Sequence, residues 1–224
     1  MCGRFTLTVS KETLAHYLQE RFDLDASKVE YEANYNTAPS QKILSVIFDG
    51  SKYRVGYLNW GYLAPKKQSH SQIMINARSE TIDKLPSFKN AFKTKRCLII
   101  ADGFYEWDRH KKDKQPYRFT LNNHDLFTFA GIYNSYQTTQ DAKTFGGLIV
   151  TTNANNDISF LHDRMPVIIP EDKQSLWLDS KADTKDLKGL LDPIKSPSLS
   201  HYPVSKEVNK PSYNKLEAIK EVKL

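Results

Sequence analysis

Two cysteines among 224 residues, Cys2 and Cys97, are too few for a disulfide framework and too few for a thiolate-rich zinc site. Long apolar runs are missing as well. The longest, such as Leu98-Ile99-Ile100-Ala101, fall far short of the ~20 residues a membrane helix requires. Met1-Cys2-Gly3-Arg4-Phe5 carries a charge at its fourth position, and polar Thr6, Thr8, Ser10, Lys11 and Glu12 follow, so this stretch does not read as a secretory leader. No repeat, low-complexity tract or Gly/Ser linker divides the chain. The histidines at 16, 70, 110, 124 and 201 show no ligand spacing with cysteines or carboxylates. The absences together predict a cytoplasmic protein of one domain, with no metal, no cofactor and no membrane attachment. Nothing suggests an obligate dimer, and a monomer is expected.

What is present is a mild excess of base, with 32 basic against 26 acidic side chains for a formal charge of +6. That charge is compatible with a polyanionic partner without requiring one. Aromatic residues make up 12%, which argues against disorder. Short runs rich in β-branched and aromatic residues predict strands at 43–48, 53–60, 97–101, 117–121, 126–132, 148–151 and 167–169. Asp49-Gly50-Ser51 reads as a hairpin turn, and Asn122-Asn123-His124-Asp125 as a second one that makes 117–132 antiparallel. Ser10 is a fitting N-cap for a helix with Leu14, Tyr17, Leu18 and Phe22 on one face. Shorter helices are expected at 171–178 and 184–191, while 79–93 is ambiguous. Residues 206–224 mix charges of both signs and read as a solvated or fraying end. The fold class expected is α+β: one domain over 1–224 built on a curved, antiparallel-rich, barrel-like sheet with peripheral helices, residues 210–224 forming a peripheral tail.

Four segments carry residues suited to chemistry. Loss of Met1 would leave Cys2 with an α-amine and a thiol on adjacent carbons, both with a reactive fraction near neutral pH. Such a 1,2-aminothiol traps aldehydes: the amine gives an imine, and the thiol closes a thiazolidine ring. The plainer reading is a cysteine that happens to follow the initiator. In Phe104-Tyr105-Glu106-Trp107 the glutamate sits between two aromatic residues, where desolvation would raise its pKa toward acid–base work. Hydrogen bonding to backbone or pairing with an arginine is the alternative. His162-Asp163-Arg164-Met165-Pro166 sets an imidazole, a carboxylate and a guanidinium where a loop meets a strand, and a structural Asp–Arg pair would explain it equally. In Asn76-Ala77-Arg78, an extended backbone points Asn76 and Arg78 to one side, as a sugar–phosphate chain would need; a solvated edge strand is the alternative. Asn36-Thr37-Ala38-Pro39-Ser40 reads as a loop. Arg109, His110, Lys111, Lys112 and Lys114 read first as a solvated hairpin tip.

Taken in order, the segments resemble one family. Cys-Gly-Arg-Phe at 2–5, Asn36 to Ser40, Trp60-Gly61, Asn76-Ala77-Arg78-Ser79-Glu80-Thr81, Ala101 to Trp107, Ala130-Gly131-Ile132-Tyr133, Thr151-Thr152, His162 to Pro166 and Pro203-Val204-Ser205 with Val208-Asn209 follow the pattern of the SOS-response-associated peptidase (SRAP) family, the abasic-site processing proteins. The resemblance covers residues 1 to about 209. It implies a single SRAP domain that binds single-stranded DNA and crosslinks to abasic sites through a thiazolidine at Cys2, after removing its own Met1. By motif position it implies catalytic roles for Cys2, Asn76, Glu106 and His162, and contacts to DNA from Arg4, Arg78, Thr151 and Arg164. A β-elimination lyase activity is a natural side reaction of the imine. The chain departs from the pattern after Trp60-Gly61, where Tyr62-Leu63-Ala64-Pro65-Lys66-Lys67-Gln68 lacks the family's second tryptophan, and Lys66 and Lys67 would substitute phosphate attraction for base stacking. Three rival readings are a cysteine peptidase acting in trans, a non-catalytic single-strand-binding module, and a metal-independent thiol hydrolase of a small substrate.

Overall fold

The structure is a computed structural model that describes residues 2–63, 73–110, 113–137 and 143–224. Among the described residues the strands run, in chain order, Phe5–Leu7 (β1), Asn34–Thr37 (β2), Lys42–Phe48 (β3), Tyr53–Trp60 (β4), Tyr62–Leu63 (β5), Ile73–Met74 (β6), Asn76–Arg78 (β7) and Arg96–Ala101 (β8). They continue with Gly103–Trp107 (β9), Pro116–Leu121 (β10), Phe127–Gln137 (β11), Lys143–Asn153 (β12), Arg164–Pro166 (β13), Ile168–Ile169 (β14) and Leu199–Pro203 (β15). Helices are Lys11–Phe22 (α1), Lys89–Thr94 (α2), Gln174–Leu178 (α3) and Thr184–Gly189 (α4). Residues Ala64 to Gln68, where the missing tryptophan and the Lys66–Lys67 pair fall, lie outside the described residues, as do Met1, Lys111 and Lys112.

Five strands close on themselves in the order β12-β4-β3-β8-β11-β12. A ring with an odd number of strands cannot alternate direction all the way round, so one neighbouring pair must be parallel. That pair is β12–β4, matching Gly146 with Asn59 and Gly147 with Trp60; the other four junctions are antiparallel. A second sheet, β15-β10-β9-β1-β2, packs against the barrel. The domain is therefore α+β, with a closed barrel, additional strands and short helices.

Alternation along the barrel strands separates two cores. Leu44, Val46, Leu98, Ile100, Ala130, Ile132, Leu148 and Val150 join Leu14, Leu18, Phe92 and Trp177 of the helices on the outside. Residues of opposite parity, including Ile43, Leu58, Ile99, Phe129 and Ile149, form the inner cluster with Phe5, Phe104 and Phe119 of the second sheet. Each fully buried phenylalanine contributes roughly 1.5–3 kcal/mol over an exposed one. Gly131 lies opposite Cys97 in this inner face, and a Cβ there would fall 2.6 Å from the Cys97 Sγ. Ser10 caps α1 by accepting from the Thr13 amide at 3.1 Å, and the helix buries Leu14, Leu18 and Phe22 as its spacing predicts.

Three local expectations are corrected. The Asn122-to-Asp125 segment is not a hairpin turn, because β10 has β9 and β15 as neighbours while β11 belongs to the barrel. Its turn residues instead carry the chain from one sheet to the other. Asn36 and Thr37, expected in a loop, lie in β2, where Thr37 pairs with Phe5 of β1. The end of the chain does not fray: Val204, Val208 and Ala218 are buried against Tyr105. The Asn36 amide donates to the carbonyls of Val208, Lys210 and Tyr213 at 3.0–3.1 Å, which holds this segment on the second sheet.

Candidate active site

The position of Cys2 is set by the strand that follows it. Phe5 is clamped in the core with its ring 5.2 Å from Trp60 and 5.7 Å from Phe129. It also pairs across the sheet with Phe104, and the Tyr105 amide donates to the Arg4 carbonyl at 3.0 Å. Continuing that antiparallel register brings Cys2 alongside Glu106 and Trp107. From the other side, β7 lies parallel to β12, with Asn76 abreast of Ile149 and Arg78 abreast of Thr151. The Asn76 side-chain amide donates to the Cys2 carbonyl at 3.0 Å. Its Oδ1 is buried with no hydrogen-bond partner among the described residues.

His162 arrives on the turn before β13, its amide bonded to the Ile158 carbonyl at 3.2 Å. Its Nε2 lies 3.9 Å from Glu106 Oε2, both side chains being buried. The Arg164 backbone N–H donates to His162 Nδ1 at 2.8 Å. The Asp163 carboxylate is 2.8 Å from the same nitrogen, a contact that would call for a proton there. The backbone amide is a fixed donor, whereas Asp163 is 81% exposed and has water available. Nδ1 is therefore the acceptor, and the neutral ring carries its proton on Nε2, the nitrogen nearer Glu106.

Desolvation governs the electrostatics. Burial raises the Glu106 carboxyl to about 7, with the Arg109 charge drawing it down in part. Burial lowers His162 to about 4, so the imidazole is neutral at pH 7. The Cys2 thiol is pushed well above its ordinary value by burial first and the Glu106 charge second. A carboxyl that titrates near neutrality beside an uncharged imidazole and a buried thiol can both give and take a proton. Among the described residues no group of three or more His, Cys, Asp and Glu side chains could hold a metal ion.

Cys2, Asn76, Glu106 and His162 thus converge, whereas the residues anticipated as DNA contacts differ from one another. Arg78 is exposed, and its guanidinium makes no hydrogen bond or ion pair among the described residues. Arg164 is buried and forks onto Glu80, donating also to Asn153 Oδ1 at 2.9 Å and the Thr151 carbonyl at 2.7 Å. Thr151 is itself buried, with its hydroxyl 3.4 Å from Arg164. Arg4 donates to Asn36 Oδ1 at 2.8 Å and to the carbonyls of Val208 and Asn209. Arg4 and Arg164 are thereby occupied in holding the walls of the site. The sequence reading missed Glu80 as the partner of Arg164, although both lie in quoted motifs. Arg109 on the β9–β10 tip is exposed as its sequence predicts, yet its charge reaches Glu106 and His162, which sequence spacing does not reveal.

A family model described as SOS response associated peptidase (SRAP) matches residues 1–211. Among curated relatives, the abasic site processing protein YoaM of Bacillus subtilis (strain 168) is 42% identical over 225 residues, covering 98% of this chain and 97% of the relative. The abasic site processing protein HMCES of Xenopus tropicalis is 27% identical, with 98% of this chain and 78% of that protein covered. The crystal structure of a protein from Bacteroides thetaiotaomicron superimposes with a TM-score of 0.83 at 20% identity, covering 99% of this chain and all of the other.

Proposed function

The chain belongs to the SOS response associated peptidase (SRAP) family, and on that premise we propose that it processes abasic sites in single-stranded DNA by forming a covalent adduct through Cys2. The observation that carries the reading is the joint confinement of Cys2, Asn76, Glu106 and His162, with the Cys2 backbone held by Asn76 and a carboxyl near pKa 7 beside it. Hydrolysis of the Met1–Cys2 peptide bond consumes one water and frees the α-amine. The open-chain sugar aldehyde condenses with that amine, releasing water and leaving an imine. The thiol sulfur then bonds to the imine carbon while its proton passes to the imine nitrogen, closing the thiazolidine.

Glu106 is suited to these transfers because it can hold or release a proton near neutral pH, and a buried thiol that resists ionisation favours transfer in step with attack. Asn76 orients the reacting end, which supplies effective molarity rather than acid–base chemistry. His162, neutral, presents its Nε2 proton toward the carboxylate from 3.9 Å and can pass that proton on when the substrate closes the gap. Arg78 is free to meet a phosphate, while Arg4 and Arg164 act mainly through the walls they brace; Thr151 supports Arg164. The same imine makes β-elimination at the 3′ phosphate available as a slower side reaction. The reading takes the protein as a monomer acting in the cytoplasm.

The test mixes purified protein lacking Met1 with a single-stranded oligonucleotide bearing one abasic site and resolves the products on a denaturing gel. A shifted band with wild type and none with Cys2→Ala is expected. Absence of the wild-type band, or its persistence in the variant, would overturn the assignment of Cys2.

A further inference from the structure

We propose that Tyr117, Phe160 and His201 form a stacking platform for the nucleobase beside the lesion, a proposal that rests on the abasic-site reading above. The three rings are contiguous: Tyr117 to Phe160 is 6.4 Å between centroids, Phe160 to His201 is 4.8 Å, and Tyr117 to His201 is 6.0 Å. Phe160 is 46% exposed, His201 is exposed and Tyr117 is half-buried.

Their location ties them to the site from two directions. Tyr117 lies directly across β9–β10 from Glu106, so the two side chains share a face of the sheet. Phe160 stands two residues before His162, on the turn that delivers the imidazole. The cluster thus borders the carboxylate through one strand and the imidazole through one loop.

A single exposed phenylalanine is ordinary. This one is the outer end of an aromatic row that runs into the core. The His201 ring lies 5.4 Å from Phe119, which stacks on Phe104 at 5.3 Å with an interplanar angle of 15°. The inner rings hold the outer ones in place, so a base would meet a surface already ordered and little rotamer freedom would be lost on stacking. The exposed Phe160 ring face, apolar and uncharged, suits any of the four bases, because each presents a π face. The platform therefore predicts affinity without sequence preference.

The experiment compares single-turnover crosslinking to two abasic oligonucleotides, one with ordinary bases flanking the lesion and one with base-free tetrahydrofuran nucleotides there. Phe160→Ala is expected to raise the half-saturating protein concentration about 10-fold on the first, with the maximal rate unchanged. Phe160→Trp should restore it, and the base-free oligonucleotide should not distinguish the three proteins. Equal behaviour of Phe160→Ala and wild type on the first oligonucleotide, or equal losses on both, would overturn the platform. Should wild type form no adduct at all, the function proposed for Cys2 falls. The platform is then decided by fluorescence anisotropy with intact single-stranded DNA, where Phe160→Ala must bind more weakly than both wild type and Phe160→Trp.

Discussion

Asp102 and Glu106 are buried carboxyl groups four residues apart, one at the corner where the chain leaves the barrel and one on the strand that follows. They are 6% and 2% exposed, yet their surroundings are opposite. Asp102 accepts from the Thr6 hydroxyl, from the amide and hydroxyl of Thr8, and from Arg118, whose Nη2 is 3.1 Å away. Arg118 is packed so closely against Gly103 that a Cβ there would lie 2.7 Å from its Nε. Glu106 instead has a neutral imidazole at 3.9 Å, and desolvation outweighs the attractions it receives. The difference teaches that burial alone does not mark a reactive group. A carboxylate whose donors match its burial braces a corner, whereas one whose desolvation outweighs the charges drawn to it titrates near neutrality and becomes available for chemistry.

The contrast can be tested by removing each charge in turn. The largest effect expected is on rate: Glu106→Gln keeps the shape but cannot exchange a proton, and adduct formation should slow by roughly 10²–10⁴-fold, read by quenched time courses on denaturing gels. The wild-type rate should titrate with an apparent pKa near 7, and that titration should vanish in the variant. Asp102→Asn should leave the buried Arg118 without its counter-charge and cost about 3–5 kcal/mol of stability, seen as a fall in the urea midpoint at pH 7. A loss there as small as at a surface site would erase the distinction between the two carboxyls.

The smallest effect concerns stability at Glu106. Its pKa is raised in the fold, so the folded state binds more protons than the unfolded chain between about pH 4.5 and 7. The wild type is therefore favoured at low pH and loses that advantage as pH rises through 7. Glu106→Gln has no such dependence. Relative to wild type it should gain stability with pH, reaching at most ~3 kcal/mol by pH 8, measured from urea midpoints at pH 5 and pH 8. A gain that does not grow with pH would mean that burial does not raise the Glu106 carboxyl in the fold.

Much of the barrel is legible in the sequence because β-branched and aromatic runs mark strands locally. Residues 53–60 are one such case, and the strand there has those bounds. Which strands pair is not local information. The turn chemistry of Asn122 to Asp125 signals a reversal but cannot say that β10 already has two neighbours. The same limit applies to side chains. An extended backbone predicts that Asn76 and Arg78 share a side, and Ala77 between them is buried while Arg78 is exposed. Nothing near Arg4 or Arg164 indicates that each would be met by groups from distant segments, 204 residues away for Val208 and 84 for Glu80. Residue type sets what a group can bond, and topology sets what it meets.

The clamp that Asn36 and Arg4 make on residues 208–213 bears on how the protein is born. Cys2 is made roughly 200 residues before the segment that meets Arg4 and Asn36, the side chains bracing its strand. Arg118 and the Asp102 corner can form earlier, as soon as β10 is made. The clamp cannot close until the ribosome has released the segment beyond Val208, because contacts so distant in sequence must wait for the intervening chain. Until then the strand that carries Cys2 lacks the contacts that Arg4 and Asn36 make to residues 208–213. The pocket is fully braced only once residues 208–213 are in place.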